Sequence, residues 1–130
     1  MALANPAKKR PKHLDLMKIR LPLPGIVSIL HRVSGFALFL IGIPILLWVL
    51  NCSLASQQGF DGWRETFNRP IVKLILIGFL WAYLHHFFAG LRYLALDLHK
   101  GISLPAARAT SKVVLIVSVA LTLILGAWLW

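Results

Sequence analysis

Cysteine is nearly absent from this chain, and acidic residues are scarce. Cys52 is the single cysteine, which excludes an internal disulfide and a metal cluster held by cysteines. Only 4 acidic residues stand against 14 lysines and arginines, so the formal net charge is +10. Such a charge can indicate nucleic-acid binding, but no basic patch interleaved with aromatic residues accompanies it, and we exclude nucleic acid as a partner.

Apolar residues dominate instead, and the mean hydropathy of +0.77 is too high for an ordinary soluble domain. Three apolar stretches, at about residues 26–50, 71–96 and 113–130, are each long enough to cross a membrane. Crossing ~30 Å of hydrocarbon takes about 20 helical residues, and helices satisfy their own backbone polar groups. The sequence therefore predicts an all-α fold: one domain, residues 1–130, forming an integral membrane bundle of three transmembrane helices. The first stretch exceeds a typical signal core of ~7–15 residues, so we expect no cleaved signal peptide.

The distribution of charge predicts how the chain is inserted. Positive residues cluster before the first stretch and between the second and third: Lys8, Lys9, Arg10, Lys12, Lys18, Arg20, Lys100, Arg108 and Lys112. The connection between the first two stretches is roughly neutral. By the positive-inside rule, the amino terminus is cytoplasmic and the carboxyl terminus lies outside. The basic tail, residues 1–22, is a topology signal under this interpretation, helped by anionic lipid of the bilayer.

Proline and glycine mark expected boundaries within the chain. Pro44 should kink the outer half of the first helix. The connection at residues 51–70 is rich in turn formers and predicts a loop with a short interfacial helix around Trp63. Pro70 can begin the second helix, and Gly101 should follow its end.

The second stretch contains a polar stripe of His86, Gly90, Tyr93 and Asp97, which share one helix face. Ionisable residues at membrane depth are costly and indicate function. A small residue one turn from a histidine lets a flat, bulky ligand lie against the helix, which suggests haem. His85 points about 100° away from this face, so a second axial ligand is expected from another subunit. The alternative is that these histidines only hydrogen-bond neighbouring helices.

A second polar face lies at the inner end of the first stretch, where Ser28, His31, Arg32 and Gly35 fall at helical spacing. In antiparallel helices this face would approach the stripe of the second helix. A cationic cluster there can neutralise haem propionates or stabilise the developing anion of a quinone during reduction. The alternative is an arginine that extends to lipid headgroups and a serine that bonds its own backbone.

Three motifs carry a resemblance to a known family. RPKHLDL in the tail, SILHRVSG in the first stretch and HFFAGLRYLALD in the second occur in the order and separation of that family. On these motifs the chain resembles the cytochrome b membrane-anchor subunits of succinate dehydrogenase, respiratory complex II. The resemblance covers essentially the whole chain.

The resemblance implies roles for individual residues. His86 matches the axial ligand of haem b, because it stands four residues before Gly90. Ser28 and Arg32 match positions that contact ubiquinone, and Asp97 matches an acidic residue close to the quinone pocket. His31, Arg92 and Tyr93 would lie around the haem propionates. The family often has histidine where this chain has Tyr93, and a phenol carries no positive charge at neutral pH.

The resemblance also implies partners and a location. A second membrane-anchor subunit would share the haem, and an iron–sulfur subunit and a flavoprotein subunit would bind at the cytoplasmic face of a bacterial inner membrane. Succinate would be oxidised in those soluble subunits, so this chain would contribute only to the quinone site. The alternatives are a haem-free transporter or structural membrane subunit, and within the family an anchor of a fumarate reductase.

Overall fold

The computed structural model describes residues 20–130, and all regular secondary structure in that range is helical. Three helices are long and apolar enough to cross a membrane: Leu23–Ala55, Pro70–Asp97 and Leu104–Leu129. We call them the first, second and third spanning helices. A shorter connector helix, Gln57–Phe67, joins the first two. The prediction of three apolar membrane helices is confirmed, whereas the RPKHLDL motif and most of the basic tail lie outside the described residues.

The first spanning helix contains a local irregularity where the sequence predicts a kink. It begins after Pro22, which has an extended conformation, and it widens into a π-helical turn at Leu38–Gly42 before continuing to Ala55. Pro44 has no backbone N–H, and its ring would collide with the carbonyl of Leu40 in a regular α-helix. A π-helical turn just before a proline relieves that collision while the helix remains continuous.

The connection after the first spanning helix is more helical than the predicted loop with one short helix. Ser56 caps it, because the Ser56 hydroxyl accepts a hydrogen bond of 3.0 Å from the backbone N–H of Gly59. Trp63 packs edge-on against Trp48 of the first spanning helix, with ring centroids 5.1 Å apart. The expected helix around Trp63 is therefore confirmed. The non-helical part of the connection is shorter than predicted, because the first spanning helix continues to Ala55 and the connector helix occupies Gln57–Phe67.

The second spanning helix starts at Pro70, as predicted, and ends at Asp97. His99 and Gly101 then adopt left-handed backbone conformations, with φ of 57° and 77°, and they reverse the chain. The third spanning helix begins at Leu104, ahead of the apolar stretch predicted from residue 113. Its first turns are polar, so hydropathy alone does not detect them.

Little of the chain is buried within the bundle. Each spanning helix contributes one residue to a small apolar core formed by Val27, Ala89 and Val114. Most large apolar side chains are exposed along the helices, as expected of surfaces that face lipid or another subunit. The third helix buries small hydroxyl residues that bond carbonyls of their own helix, as Ser118 and Thr122 do at 3.1 and 2.7 Å. These hydroxyls are therefore satisfied without water.

Candidate functional site

The first and second spanning helices run antiparallel and meet through glycines. A Cβ atom at Gly42 would lie 3.5 Å from Phe79, and Gly35 lies against His86. Further along, Gly90 of the second helix lies next to His31 of the first. Residue numbers thus rise along one helix as they fall along the other. Small residues allow this close approach of the two backbones.

A histidine pair occupies the centre of this interface. The imidazole rings of His31 and His86 stack with centroids 4.2 Å apart and planes inclined by 6°. The ring of Tyr93 lies 5.1 Å from that of His31, tilted by 47°. The structure therefore brings together the polar stripe of the second helix and the polar face of the first.

The Nδ1 atom of His86 is held at the backbone of the first helix. It lies 3.1 Å from the carbonyl oxygen of His31 and 3.4 Å from the hydroxyl oxygen of Ser34. A carbonyl oxygen can only accept, so this bond requires the proton of His86 to reside on Nδ1. The other ring nitrogen, Nε2, then carries a lone pair, and within residues 20–130 no hydrogen-bond partner contacts it. A neutral imidazole in this state is a metal ligand.

Gly35 makes the approach of His86 possible. A Cβ atom at position 35 would lie 2.8 Å from Cε1 and 3.1 Å from Nδ1 of the His86 ring, so the ring would have to move to admit it. Ser34 was not among the residues predicted from the sequence. Its position three residues after His31 in SILHRVSG was the available signal, since serine at that spacing can bond the His31 carbonyl.

The residues predicted to contact a quinone are more accessible. Ser28 is half-buried, whereas Arg32 and Asp97 are exposed. Continuation of the antiparallel register places Ser28 level with Tyr93, and Asp97 ends the second helix on the same side of the bundle. Within residues 20–130, no hydrogen bond or ion pair links these three side chains to one another. Ser28, Arg32 and Asp97 therefore lie at the same end of the bundle without a direct bond between them.

Arg92 is directed towards the third spanning helix. Its side chain is buried, and Nε donates a hydrogen bond of 3.1 Å to the hydroxyl of Thr110. Together with Lys100 it lines a cavity of about 360 Å³ between the second and third helices. Its guanidinium carbon lies 5.4 Å from the Tyr93 ring centroid, and this is its link to the histidine pair. In the described chain, no hydrogen bond joins it to His31 or His86.

The two adjacent histidines of the second helix occupy different surroundings. His85 is fully buried, and its ring stacks on that of Trp81 at 5.4 Å. Neither of its ring nitrogens has a hydrogen-bond partner in the part of the chain that the structure describes. His86 is only half-buried and is fixed by Nδ1. Across residues 20–130, no three His, Cys, Asp or Glu side chains converge on a metal-ion position. His86 can therefore supply a single ligand to a metal that is held mainly by a larger prosthetic group.

Comparison with known proteins agrees with the fold and the motifs. Residues 6–125 match the family described as succinate dehydrogenase/fumarate reductase transmembrane subunit. A relative from Coxiella burnetii, named succinate dehydrogenase cytochrome b556 subunit, is 38% identical over 94% of this chain and 98% of its own length. Relatives of the same name from Paracoccus denitrificans and Rickettsia felis are 33% and 32% identical, and the matches cover 88% and 90% of each chain.

The family match and the relatives cover enough of the chain to assign it to a family. Both the family match and the relatives span nearly the whole chain, including all of the first two spanning helices and both of their motifs. The three apolar helices and the bacterial relatives identify a multi-pass protein of the bacterial inner membrane. The chain belongs to the family of succinate dehydrogenase/fumarate reductase transmembrane subunits.

Proposed function

We propose that the chain is the membrane-anchor cytochrome b subunit of a succinate:ubiquinone oxidoreductase. In this role it binds one haem b together with a second anchor subunit and forms part of the ubiquinone-reduction site. The observation that carries the proposal is His86, whose Nδ1 is bonded to the His31 carbonyl so that Nε2 is left for iron. The shared name of the relatives, cytochrome b556 subunit, supports the same interpretation.

The residues around His86 suit a haem. His86 would bind the haem iron from this chain, and a histidine of the second anchor subunit would supply the other ligand. The hydroxyl of Tyr93 is buried and has no partner among residues 20–130, so it can donate to a carboxylate. His31 and Tyr93 are therefore propionate partners, and Arg92 contributes its charge from the third-helix side. When bound, the haem supplies a one-electron carrier whose potential depends on these ligands and charges.

Ubiquinone is reduced at the inner end of the same two helices. Ser28 donates a hydrogen bond to a quinone carbonyl, and Arg32 stabilises the negative charge that develops on the oxygen as electrons arrive. Asp97 orients Arg32 or a water molecule. Both Arg32 and Asp97 are exposed in the isolated chain, which leaves them free for a substrate that binds between this chain and its partners.

The partners follow from this arrangement. The amino terminus is cytoplasmic under the positive-inside rule, so the inner end of the bundle carries the iron–sulfur and flavoprotein subunits. Succinate is oxidised in the flavoprotein subunit, and no residue of this chain contacts it. The iron–sulfur subunit would supply the electrons that reduce ubiquinone.

Purification of the chain under mild detergent tests the proposal. We expect a flavoprotein subunit, an iron–sulfur subunit and a second small anchor to accompany it, with a cytochrome b band in the reduced-minus-oxidised spectrum. A chain that purifies without flavin, iron–sulfur clusters or haem would favour a transporter or structural subunit. The rate of succinate oxidation by ubiquinone and the rate of fumarate reduction by a low-potential quinol, measured on the same preparation, separate a succinate dehydrogenase from a fumarate reductase anchor.

A further inference from the structure

We propose that Ser34 and Gly35 are positioning residues that hold the Nδ1 edge of His86 on the backbone carbonyl of His31. They thereby determine which nitrogen of His86 binds iron, and they lower the reduction potential of that iron. This inference rests on the proposed function, because it concerns the ligand of a haem. It assigns a role to Ser34 and Gly35, which would affect the iron only through their contacts with His86.

The acceptor is the backbone carbonyl oxygen of His31, which two side chains contact. The hydroxyl of Ser34 donates to the His31 carbonyl oxygen at 3.0 Å, and Nδ1 of His86 approaches the same oxygen at 3.1 Å. Because the Ser34 hydrogen points at the carbonyl, the lone pairs of its oxygen are available to face Nδ1, 3.4 Å away. The Nδ1 atom thus meets two oxygen acceptors. The alternative tautomer would place the Nδ1 lone pair against the carbonyl oxygen, which is repulsive.

The ring is held on its remaining sides by packing. A Cβ atom at position 35 would lie 2.8 Å from the His86 ring, so any residue other than glycine would require the ring to shift. The His31 ring covers one face of His86 at 4.2 Å. Ser34 itself is buried, with 4% of its surface exposed, so the acceptors are shielded from water that could compete for Nδ1. One short segment, His31 to Gly35, therefore fixes the ring position and the tautomer together.

A hydrogen bond from the outer nitrogen of a ligating histidine has a known electronic effect. It makes the imidazole more basic, and a more basic ligand stabilises oxidised iron more than reduced iron. The arrangement therefore lowers the reduction potential of the haem. Loss of a partner of this kind commonly changes metal affinity by about tenfold or more. A tenfold change in the relative affinity for oxidised and reduced iron corresponds to about 59 mV for one electron.

Redox titration of the haem in the assembled complex tests the proposal, with electron paramagnetic resonance of the oxidised haem as a second readout. We expect Gly35→Ala to raise the potential by about 59 mV, a tenfold change in relative affinity, and to alter the resonance signal, because the added methyl pushes the ring from the carbonyl. Gly42→Ala is the matched control, since its Cβ would meet Phe79 at an ordinary 3.5 Å. An unchanged potential and signal in Gly35→Ala would overturn the proposal.

A serine pair keeps the test decisive if Gly35→Ala fails to assemble. Ser34 and Ser118 both bond the carbonyl three residues earlier in their own helix, at 3.0 and 3.1 Å, but only Ser34 also faces a histidine nitrogen. Ser34→Ala should shift the potential and the resonance signal by less than Gly35→Ala, and Ser118→Ala should shift neither. If Ser34→Ala and Ser118→Ala gave the same reduction potential and resonance signal, a positioning role of Ser34 would be excluded. A wild-type complex without any haem would instead refute the proposed function.

Discussion

His31 contacts His86 twice, once through its side chain and once through its backbone. The two imidazole rings stack at 4.2 Å, and the His31 carbonyl oxygen lies 3.1 Å from Nδ1 of His86. The two contacts have different sensitivity to mutation, because a substitution at position 31 removes the ring and leaves the carbonyl. The histidine pair can therefore be examined one contact at a time.

Replacement of the His31 ring should leave the haem in place. In His31→Leu the carbonyl that holds Nδ1 of His86 persists, so we expect the complex to retain its cytochrome b band with a lowered potential, because the proposed propionate partner is lost. Visible spectra and redox titration of the purified complex measure both properties. Complete loss of haem from an assembled complex would show that the ring, rather than the carbonyl, is what maintains His86.

Arg32 is expected to act on quinone and not on succinate. We predict that Arg32→Leu lowers succinate:quinone reductase activity by about 100-fold, the usual cost of removing one group that stabilises developing negative charge. Succinate oxidation with an artificial acceptor should persist, because that reaction takes place in the soluble subunits. Arg108→Leu, another exposed arginine near the inner end, is the matched control. Comparable quinone reduction in the two variants would exclude the role of Arg32.

The hydroxyl of Tyr93 should influence the haem without holding it. Its oxygen is buried and unpartnered within residues 20–130, as expected of a group that donates to a bound carboxylate. Tyr93→Phe should therefore keep the cytochrome b band but lower its midpoint potential, because a propionate without this hydrogen bond leaves more negative charge near the iron. Tyr83→Phe removes a hydroxyl from an exposed tyrosine of the same helix and should leave the potential unchanged. Identical potentials in both variants would exclude Tyr93 as a propionate partner.

The small core of the bundle should be sensitive to added volume. Ala89 is fully buried where the three helices meet beside Val27 and Val114. Ala89→Leu would overfill this point, and we expect it to destabilise the folded anchor by about 1–3 kcal/mol. Thermal unfolding of the purified complex measures the effect. Ala120→Leu adds the same volume at an exposed position of the third helix. A destabilisation no larger than that of this control would mean that the three helices do not pack at Ala89 as described.

Much of the fold could be predicted because a membrane-spanning helix has to meet two simple requirements, sufficient length and sufficient hydropathy. Length and hydropathy identify the three spanning helices, and Pro70 marks the start of the second. A short helix around Trp63 was also expected, but its extent, Gln57–Phe67, and the π-helical turn at Leu38–Gly42 were not predictable in the same way. They depend on a serine cap, on a tryptophan pair and on how the chain accommodates Pro44, and none of these changes the hydropathy pattern.

The candidate site was predictable as a set of faces but not as a set of bonds. Helical spacing groups His86 with Tyr93, and it correctly indicates that His31 shares a face with Gly35. Spacing does not show which helix a neighbouring residue meets, so the bond from Arg92 to Thr110 was unexpected. Nor does it reveal a backbone acceptor, because a carbonyl is present at every position. The role of Ser34 becomes apparent only when the distance from Nδ1 of His86 is known.

The most direct test of the account compares the two adjacent histidines of the second helix. His85 is buried on Trp81 with both nitrogens unpartnered in the described chain, whereas His86 is bonded through Nδ1 and its Nε2 is the proposed iron-binding atom. The measurement is the reduced-minus-oxidised visible spectrum of the assembled complex carrying His86→Leu or His85→Leu. We predict that His86→Leu removes or alters the cytochrome b band and that His85→Leu preserves it. An unchanged band in assembled His86→Leu complex would contradict the account.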